Sequence, residues 1–527
     1  MRTALFHCFA AICLIALPLW PAIAQATSAQ SPMIAIDTGK IAGESAGDIQ
    51  IFRGIPYAAP PVGPLRWRAT QRPAKWSGVR DATKFGFSCP QDTSDPKVDI
   101  LRFGGAPNPT SEDCLTLNVW APAHANKHAS VMVWFHGGAG RIGAGSLPYY
   151  DGASFVHDGI VLVTINYRLG HLGAFAYPGL AHEAATRHEP VGAYALMDQI
   201  AALNWVKRNI AAFGGDPGNV TIFGESSGGI SVFNLLASPA ARGLFHKAII
   251  ESGGGWFGPP PTADQAEKRG LEIAAAAGAS NATLAQLRAL PAQAITRVPG
   301  DSTAEPDTSL LPESPTIAIA AGRVASVPLI IGVTDGEDSL INRVIAKAKA
   351  AINPDTLAKL RKLYGANLDV ETAARYQFRD ELGTAPARWV SAEWPTSAYL
   401  YRFEHVTASY RPERKRATHG SEIFYVFATL GREPDVVSRP TPADEQLAAQ
   451  IHARWVAFAK NGAPNPPGIT AWPAYSAADQ WMVFGQDRTS VQAHVMKSQL
   501  DSYESQISPL IFYLRIKEAF ARFFAWL

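Results

Sequence analysis

Short apolar runs rich in β-branched residues alternate along the chain with longer stretches of helical periodicity. The apolar runs cover residues 131–135, 160–165, 220–223, 247–251 and 327–331, and each is bounded by Gly or Pro. Runs of this kind are typical of strands buried on both faces of a largely parallel sheet. Strands that alternate with helices in this way predict an α/β layered fold.

Two of the predicted helices have clear ends. Residues 194–213 have a helical pattern that Gly214 and Gly215 terminate. A second helix begins at Thr441, which forms a capping box with Pro at the first helical position, and it stops at Gly462. Its apolar face carries Leu447, Ile451, Trp455 and Phe458. Residues 263–325 are Ala-rich with a helical pattern and predict a cap or an insertion.

The first 24 residues have the pattern of a secretory signal peptide. Arg2 is the only charge among them, residues 4–20 are almost continuously apolar, and Ala22 to Ala24 supplies an A-x-A cleavage site. We therefore predict cleavage after about Ala24, a secreted or periplasmic protein, and a single domain over residues 25–527. The alternative is a membrane anchor. No later stretch reaches 18 uncharged apolar residues, so no spanning helix is predicted.

Composition narrows the possible function classes. With 47 Lys and Arg against 45 Asp and Glu, the chain lacks the basic field of a dedicated nucleic-acid binder. A hydrophobic content of 47% excludes a largely disordered chain. Cys8 and Cys13 leave with the signal peptide, and only Cys89 and Cys114 remain. A pair of cysteines in an exported chain predicts a disulfide, and the alternative is two buried free thiols.

A G-x-S-x-G motif places a candidate nucleophile at Ser226. The predicted strand 220–223 runs directly into Gly224, and the apolar residues 230–237 follow the motif. A serine on such a strand–turn–helix corner projects from the carboxyl edge of the sheet, and flanking glycines avoid clashes with the neighbouring strand and helix. The alternative is a glycine-rich turn with a capping serine. Ser227 is also a hydroxyl, but its place in the motif makes it a backbone donor.

A serine nucleophile needs a histidine base and an acid, in the chain order Ser, acid, His. The histidines after Ser226 are His246, His405, His419, His452 and His494. His246 comes too early, and His452 falls within the capped helix as a partly exposed residue. His419 stands next to Gly420 on a loop, but spacing alone leaves it open against the others. The acid should follow the strand 327–331, where Asp335, Glu337 and Asp338 crowd one loop, and physics alone does not choose among them.

Several segments resemble the type-B carboxylesterase family, which also includes the cholinesterases. Residues 52–63 and 65–67 are similar to its N-terminal signature, residues 111–120 to its second signature and residues 224–229 to its nucleophile signature. The likeness runs from about Gly39 to Phe484. It implies an α/β-hydrolase fold, with a mostly parallel central sheet flanked by helices and helical insertions over the active site. It also implies hydrolysis of a small-molecule carboxylic ester, with no cofactor or metal.

The resemblance also assigns site residues. Ser226 would be the nucleophile, Glu337 the acid and His419 the base, with Asp335 and Asp338 in reserve because the usual Asp-Glu-Gly reads Gly-Glu-Asp here. The oxyanion hole would use the backbone N–H groups of Gly138, Ala139 and Ser227. The family usually has Gly at position 139 and Ala at position 227. Its first disulfide maps to Cys89–Cys114, and a family salt bridge maps to Arg66–Glu112.

Competing interpretations have weaker support. Residues 138–143 form a G-x-G-x-x-G after a strand, but the following Gly and Pro residues forbid the helix that a dinucleotide site needs. His182-Glu183 begins like a zinc-protease motif, but Thr186 stands where the second His would be. A peptidase or amidase on the same fold, and a catalytically inactive adhesion-type protein, remain alternatives. Residues 508–527 could form a helix from Pro509 that docks on the globule or makes a homodimer or membrane-surface contact.

Overall fold

The computed structural model of the protein describes residues 31–92, 105–106, 109–123, 128–255, 261–300, 309–432 and 439–507. The predicted signal peptide (residues 1–24, with Cys8 and Cys13) lies outside these residues. The predicted C-terminal helix from Pro509 also lies outside them, so both stay predictions. Across the described ranges, no helix is both long and apolar enough to cross a membrane.

The strands of the described residues form two sheets. They are β1 (Met33–Ile36), β2 (Gly39–Ala42), β3 (Glu44–Ala46), β4 (Ile49–Pro56), β5 (Val79–Asp81), β6 (Thr116–Pro122), β7 (Ala129–Phe135), β8 (Ile160–Ile165), β9 (Gly215–Glu225), β10 (Lys247–Glu251), β11 (Leu329–Thr334), β12 (Ala398–Phe403), β13 (Gln480–Phe484) and β14 (Thr489–Ala493). The large sheet has 11 strands in the order β14-β13-β12-β11-β10-β9-β7-β8-β6-β4-β3, and the small one has the order β1-β2-β5. The contiguous block from β13 to β8 is parallel, while β14 on one side and β6, β4 and β3 on the other are antiparallel.

Helices connect the parallel strands. They are α1 (Ala153–His157), α2 (Gly170–Gly173), α3 (Pro178–Arg187), α4 (Tyr194–Asn209), α5 (Ser227–Ala237), α6 (Ala263–Ala276), α7 (Leu284–Ala289), α8 (Ala292–Thr296), α9 (Pro315–Ala320), α10 (Ile345–Ala351), α11 (Pro354–Tyr364), α12 (Val370–Arg379), α13 (Ala385–Glu393), α14 (Ile423–Val426) and α15 (Pro442–Asn461). Short 3-10 turns supplement them, of which Glu337–Arg343 follows β11 and bears on the site below. Because parallel strands need crossover connections, this arrangement is the predicted α/β fold with a mostly parallel sheet.

Both faces of the large sheet are buried because strand residues alternate between two cores. Along β7, Val131, Val133 and Phe135 enter one core, and Met132 and Trp134 enter the other. Helices α4, α5, α9 and α13 cover the first core, and α1, α14 and α15 cover the second. The carboxyl ends of the parallel strands β7 to β12 meet at one edge of the sheet.

The predicted elements with clear boundaries are confirmed. Strands β8 and β10 have the predicted ends, and α15 begins at a capping box between Thr441 and Asp444 and ends at Gly462 in a left-handed conformation. Residues 194–213 form α4 and then a 3-10 turn, Ile210–Phe213. His452 was expected to be partly exposed, and this is wrong. It is 4% exposed because α1 and α14 pack over its side of α15.

The Ala-rich region 263–325 divides between two cores. Helices α6, α7 and α8 form a separate apolar cluster with Trp67 and Phe175, away from the sheet, while α9 joins the main core against α5. The region is thus a helical insertion only over its first three helices. Its attachment is reinforced by Arg66, which pairs with Glu112 as predicted and also donates to the Leu290 carbonyl at 2.6 Å. Cys89 and Cys114 form the predicted disulfide.

Candidate active site

Ser226 lies on the sharp turn between β9 and α5. Its backbone angles, φ 55° and ψ −126°, are in a region that L-residues rarely adopt, and its N–H donates to the Glu251 carbonyl at 2.8 Å. A Cβ on Gly228 would lie 1.9 Å from the Phe135 carbonyl oxygen, and one on Gly224 would lie 2.6 Å from Gly228 backbone. The glycines of the motif are therefore required by close backbone approach, as the sequence predicted.

His419 and Glu337 meet at the carboxyl edge of the sheet. Glu337 begins the 3-10 turn after β11, and His419 lies on the loop after β12, the neighbouring parallel strand. His419 Nδ1 hydrogen-bonds Glu337 Oε2. The other carboxylate oxygen accepts from the Thr334 N–H and hydroxyl, both at 2.9 Å, and from the Ser252 hydroxyl at 2.6 Å. Glu337 is thus fixed by four donors.

The second ring nitrogen of His419 faces the nucleophile turn. Its Nε2 lies 3.0 Å from Oε1 of Glu225, the residue before Ser226. The geometry of that approach does not make a hydrogen bond, and both atoms are buried without a hydrogen-bond partner among the described residues. A buried imidazole nitrogen left unbonded beside the nucleophile turn can accept a proton from a serine hydroxyl.

The other carboxylates of the acid loop are engaged elsewhere. Asp335 accepts the Ala417 N–H at 2.8 Å, and Asp338 binds Arg416 at 2.7 Å. Of the three carboxylates that the sequence left open, Glu337 is therefore the one that the structure pairs with His419.

The remaining candidate histidines lie in structural contacts. His405 pairs with Asp444 at 2.7 Å, His452 bonds the Val426 carbonyl at 2.7 Å, and His246 accepts the Val220 N–H at 3.1 Å. The ring of His494 is 55% exposed and lies 3.5 Å from Asp479. The structure places none of these contacts at the nucleophile turn.

Three further buried glutamates surround the His419–Glu337 pair, and sequence reasoning did not assign them a role. Glu225 precedes Ser226, Glu251 ends β10, and Glu422 begins the turn that leads into α14. Burial, reinforced by the neighbouring carboxylates, raises the pKa of each of these three side chains well above its ordinary value. The sequence indicated these positions in part. Glu225 lies within the G-x-S-x-G motif, Glu251 ends a predicted strand and Glu422 stands three residues after His419.

The pKa values of Glu337 and His419 both shift in the direction that favours the charged form. Burial alone would raise the pKa of Glu337, but the His419 charge and the hydrogen bonds from His419, Ser252 and Thr334 outweigh it and hold the pKa below its ordinary value. Burial opposes the imidazolium, but Glu337 and Glu225 outweigh it and raise the pKa of His419. The site therefore favours an ionised Glu337 beside a strongly basic imidazole.

The loop after β7 runs against the nucleophile turn. A Cβ on Gly137 would lie 3.2 Å from Ser226 Cβ. Gly138, Ala139 and Gly140 all have positive φ (108°, 57° and 65°), and the N–H groups of Gly138 and Ala139 donate to no other described residue. Ser227 is the first residue of α5, so its N–H has no partner within the helix.

The same loop excludes the dinucleotide interpretation. The chain after Gly143 makes only a 3-10 turn, Pro148–Tyr150, before α1 begins at Ala153. No helix opens on the glycines, as phosphate binding would require. Among the described residues, no group of three or more His, Cys, Asp or Glu side chains is arranged to hold a metal ion.

The chain is similar to known proteins over most of its length. A model of the carboxylesterase family matches residues 30–381 and 362–503. The chain is 35% identical to a fumonisin B1 esterase of Sphingopyxis macrogoltabida, over 83% of this chain and 84% of the relative. It is 36% identical to a para-nitrobenzyl esterase of Bacillus subtilis (strain 168), over 83% and 91%. A solved PNB esterase structure covers 90% of this chain and 100% of its own, with a TM-score of 0.76 and 31% identity.

Proposed function

The chain belongs to the carboxylesterase family and is a serine hydrolase of esters, and from this premise we propose that it works through an acyl-enzyme on Ser226. In this proposal His419 is the general base and Glu337 its acidic partner. The observation that carries it is the His419–Glu337 pair, whose free Nε2 faces the strained turn that bears Ser226.

The proposed reaction has two halves. Ser226 Oγ attacks the ester carbonyl while His419 Nε2 takes the hydroxyl proton, and His419 then gives that proton to the departing alcohol. Water next transfers a proton to His419 and attacks the acyl-serine, and the serine oxygen regains the proton as the acid leaves. Glu337 holds the tautomer with Nδ1–H and stabilises the imidazolium that forms in each half.

The negative charge of the tetrahedral intermediates needs donors in place beforehand. We assign this role to the N–H groups of Gly138, Ala139 and Ser227, which come from the loop after β7 and from the start of α5. The N–H groups of Gly138 and Ala139 donate to no other described residue, which supports the assignment for these two loop residues. Each such donor contributes about 3 kcal/mol of transition-state stabilisation in serine hydrolases.

Exposed apolar side chains beside these groups favour an apolar ester. Ile230 donates its N–H to the Ser226 carbonyl at 2.9 Å and leaves its side chain exposed. Leu340 follows Glu337 by one turn, and Leu382 adjoins Gly383, whose Cβ position lies 3.5 Å from Glu337 Cγ. Both leucines are exposed, at 40% and 54%. We propose that these three side chains line the entrance and contact the acyl or alcohol group.

Export and assembly complete the proposal. Residues 1–24 would direct secretion or periplasmic delivery and be removed, leaving residues 25–527 as one domain. N-terminal sequencing of the exported protein tests this cleavage.

The predicted C-terminal helix would make a homodimer contact. Deletion of residues 509–527 should then abolish the dimer in size-exclusion chromatography without loss of catalysis.

Initial rates on p-nitrophenyl esters from acetate to laurate test the catalytic assignment. Ser226→Ala should abolish turnover, and Glu337→Gln should lower kcat by about 10⁴-fold, as loss of the acidic partner does in a comparable triad. Asp338→Asn, a matched loss of a neighbouring carboxylate that binds Arg416 instead, should cost much less. Near wild-type turnover by Ser226→Ala would refute the proposal. Anilides run beside the esters separate an amidase from an esterase.

A further inference from the structure

The Ser227 side chain makes a contact that its place in the nucleophile motif does not explain. The N–H of Gly140 donates to Ser227 Oγ at 2.9 Å. Gly140 directly follows the two loop residues assigned to the oxyanion hole, and Ser227 supplies the third donor from its backbone. The hydroxyl therefore joins the loop after β7 to the first residue of α5, at the junction between the two sources of oxyanion donors.

The Gly140 carbonyl accepts the Gly170 N–H at 2.7 Å, while the Gly140 N–H joins the loop to α5 through Ser227. The N–H groups of Arg141 and Ile142 both donate to the Gly138 carbonyl, at 3.0 and 3.1 Å, which closes a tight turn. Within the described residues, the Gly140 N–H finds its acceptor in Ser227 Oγ. The turn also holds Ala139, a residue with a side chain, at φ 57°, where left-handed backbone costs energy unless the surroundings hold it. An anchor on the next residue supplies such a restraint.

We propose that the Ser227 hydroxyl is a positioning group for the oxyanion hole, an inference that rests on the function proposed above. By accepting the Gly140 N–H, it fixes the Gly138 and Ala139 donors relative to the Ser227 donor. One residue thus sets the distance between the two halves of the hole. The hydroxyl does not contact the substrate, so its effect should appear when negative charge develops on the carbonyl oxygen and not when the neutral ester binds.

Replacement of Ser227 by Ala isolates this hydroxyl. The variant keeps the backbone N–H and the helix start, and it restores the residue that is usual at this position in the family that the sequence resembles. We expect kcat to fall about tenfold, less than the roughly 10²- to 10³-fold loss from removal of a whole oxyanion donor, with KM nearly unchanged.

A trifluoromethyl ketone and the matching methyl ketone provide the second readout. The fluorinated carbonyl forms a bond with Ser226 Oγ as the serine proton passes to His419, and its oxygen becomes an oxyanion in the hole. Its Ki should rise in Ser227→Ala by the same factor as kcat falls, because both measure stabilisation of that charge. The methyl ketone, which stays largely planar and neutral, should bind both proteins alike.

Ser231→Ala is the matched control on the same helix. The Ser231 hydroxyl donates to the Ser227 carbonyl at 3.0 Å and accepts from Gln199 at 2.9 Å, and neither of these bonds reaches the oxyanion loop. This variant loses the same atoms from α5, so it can lower the melting temperature. It should leave kcat and the trifluoromethyl ketone Ki at wild-type values.

Three results would overturn the proposal. The first is a Ser227→Ala protein that matches wild type within about twofold in both kcat and Ki, and the second is an equal loss of activity in Ser231→Ala. The third is a rise in KM while kcat holds, which would indicate a substrate contact. Failure of the underlying function is recognised separately. In that case wild type and Ser226→Ala would show the same rates and the same insensitivity to the trifluoromethyl ketone.

Discussion

Replacement of Glu251 by Gln should stabilise the protein, and increasingly so as the pH rises. Glu251 is fully buried at the end of β10. Its Oε1 accepts the Trp455 indole N–H at 2.7 Å, and its Oε2 has no hydrogen-bond partner among the described residues. Burial raises the pKa of Glu251 to about 8, against the opposing effect of the Trp455 hydrogen bond. Gln resembles the protonated carboxyl in shape but cannot ionise.

The size of the effect follows from proton linkage. Between the ordinary pKa of 4.5 and about 8, the folded protein holds a proton on Glu251 that the unfolded chain has released, so its stability falls as pH rises. The free-energy cost is about 1 kcal/mol at pH 5, about 3 at pH 7 and close to its limit of about 5 at pH 9. An unfolding entropy of about 1 kcal/mol/K for about 500 residues converts these costs to melting temperatures. Glu251→Gln should therefore melt about 1 °C above wild type at pH 5 and about 5 °C above it at pH 9.

Thermal unfolding of wild type and Glu251→Gln, followed by circular dichroism from pH 5 to pH 9, measures this difference. Glu272→Gln is the control, because the same chemical change falls on an exposed position of α6. Its melting curve should track that of wild type at every pH. If the Glu251→Gln curve also runs parallel to wild type across this range, then burial does not keep Glu251 protonated and the reasoning fails.

Two further predictions concern the residues beside the site. Glu225 is one of the carboxylates that raise the pKa of His419, so Glu225→Gln should move the acid limb of the kcat/KM profile to lower pH. A limb that stays in place or moves to higher pH would contradict this. Arg141 donates to the carbonyls of Thr296, Val298 and Gly300, which ties the oxyanion loop to the end of α8. Arg141→Met should lower the melting temperature by about 2 °C, for a net loss of about 2 kcal/mol, and Arg141→Lys should have an intermediate melting temperature. A melting temperature of Arg141→Met equal to that of wild type would show that these bonds do not stabilise the fold.

The parallel core of the fold was predictable because its signals are local. A continuously apolar run such as residues 160–165 has both faces buried, so its pattern needs no partner to be recognised. The antiparallel edges gave no such signal. β14 reads Thr-Ser-Val-Gln-Ala, and its status as a strand comes from pairing with β13 rather than from its own composition.

The turn that bears the candidate nucleophile was predictable for the same reason, and the pairing of His419 with Glu337 was not predictable from periodicity. The glycines around Ser226 avoid clashes with one another's backbone and with the end of β7, but the strand–turn–helix pattern that contains them is visible in one continuous segment. The His419–Glu337 pair joins residues 82 positions apart, and it exists because β11 and β12 are parallel neighbours. Periodicity predicts strands but not their order, so the residue pattern left three carboxylates open, and the family resemblance was needed to name Glu337.

The four buried glutamates differ in how strongly their surroundings favour the ionised form. The number of hydrogen-bond donors differs among them, while burial acts on all. Glu337 receives four donors, counting His419, Ser252 and two from Thr334, and its pKa is held low. Glu251 receives the Trp455 N–H alone, and Glu225 Oε1 has no partner in the described part of the chain. Because the imidazolium charge and the donated hydrogen bonds both stabilise the charged form, they keep Glu337 ionised as the partner of His419, whereas burial keeps Glu251 protonated at neutral pH.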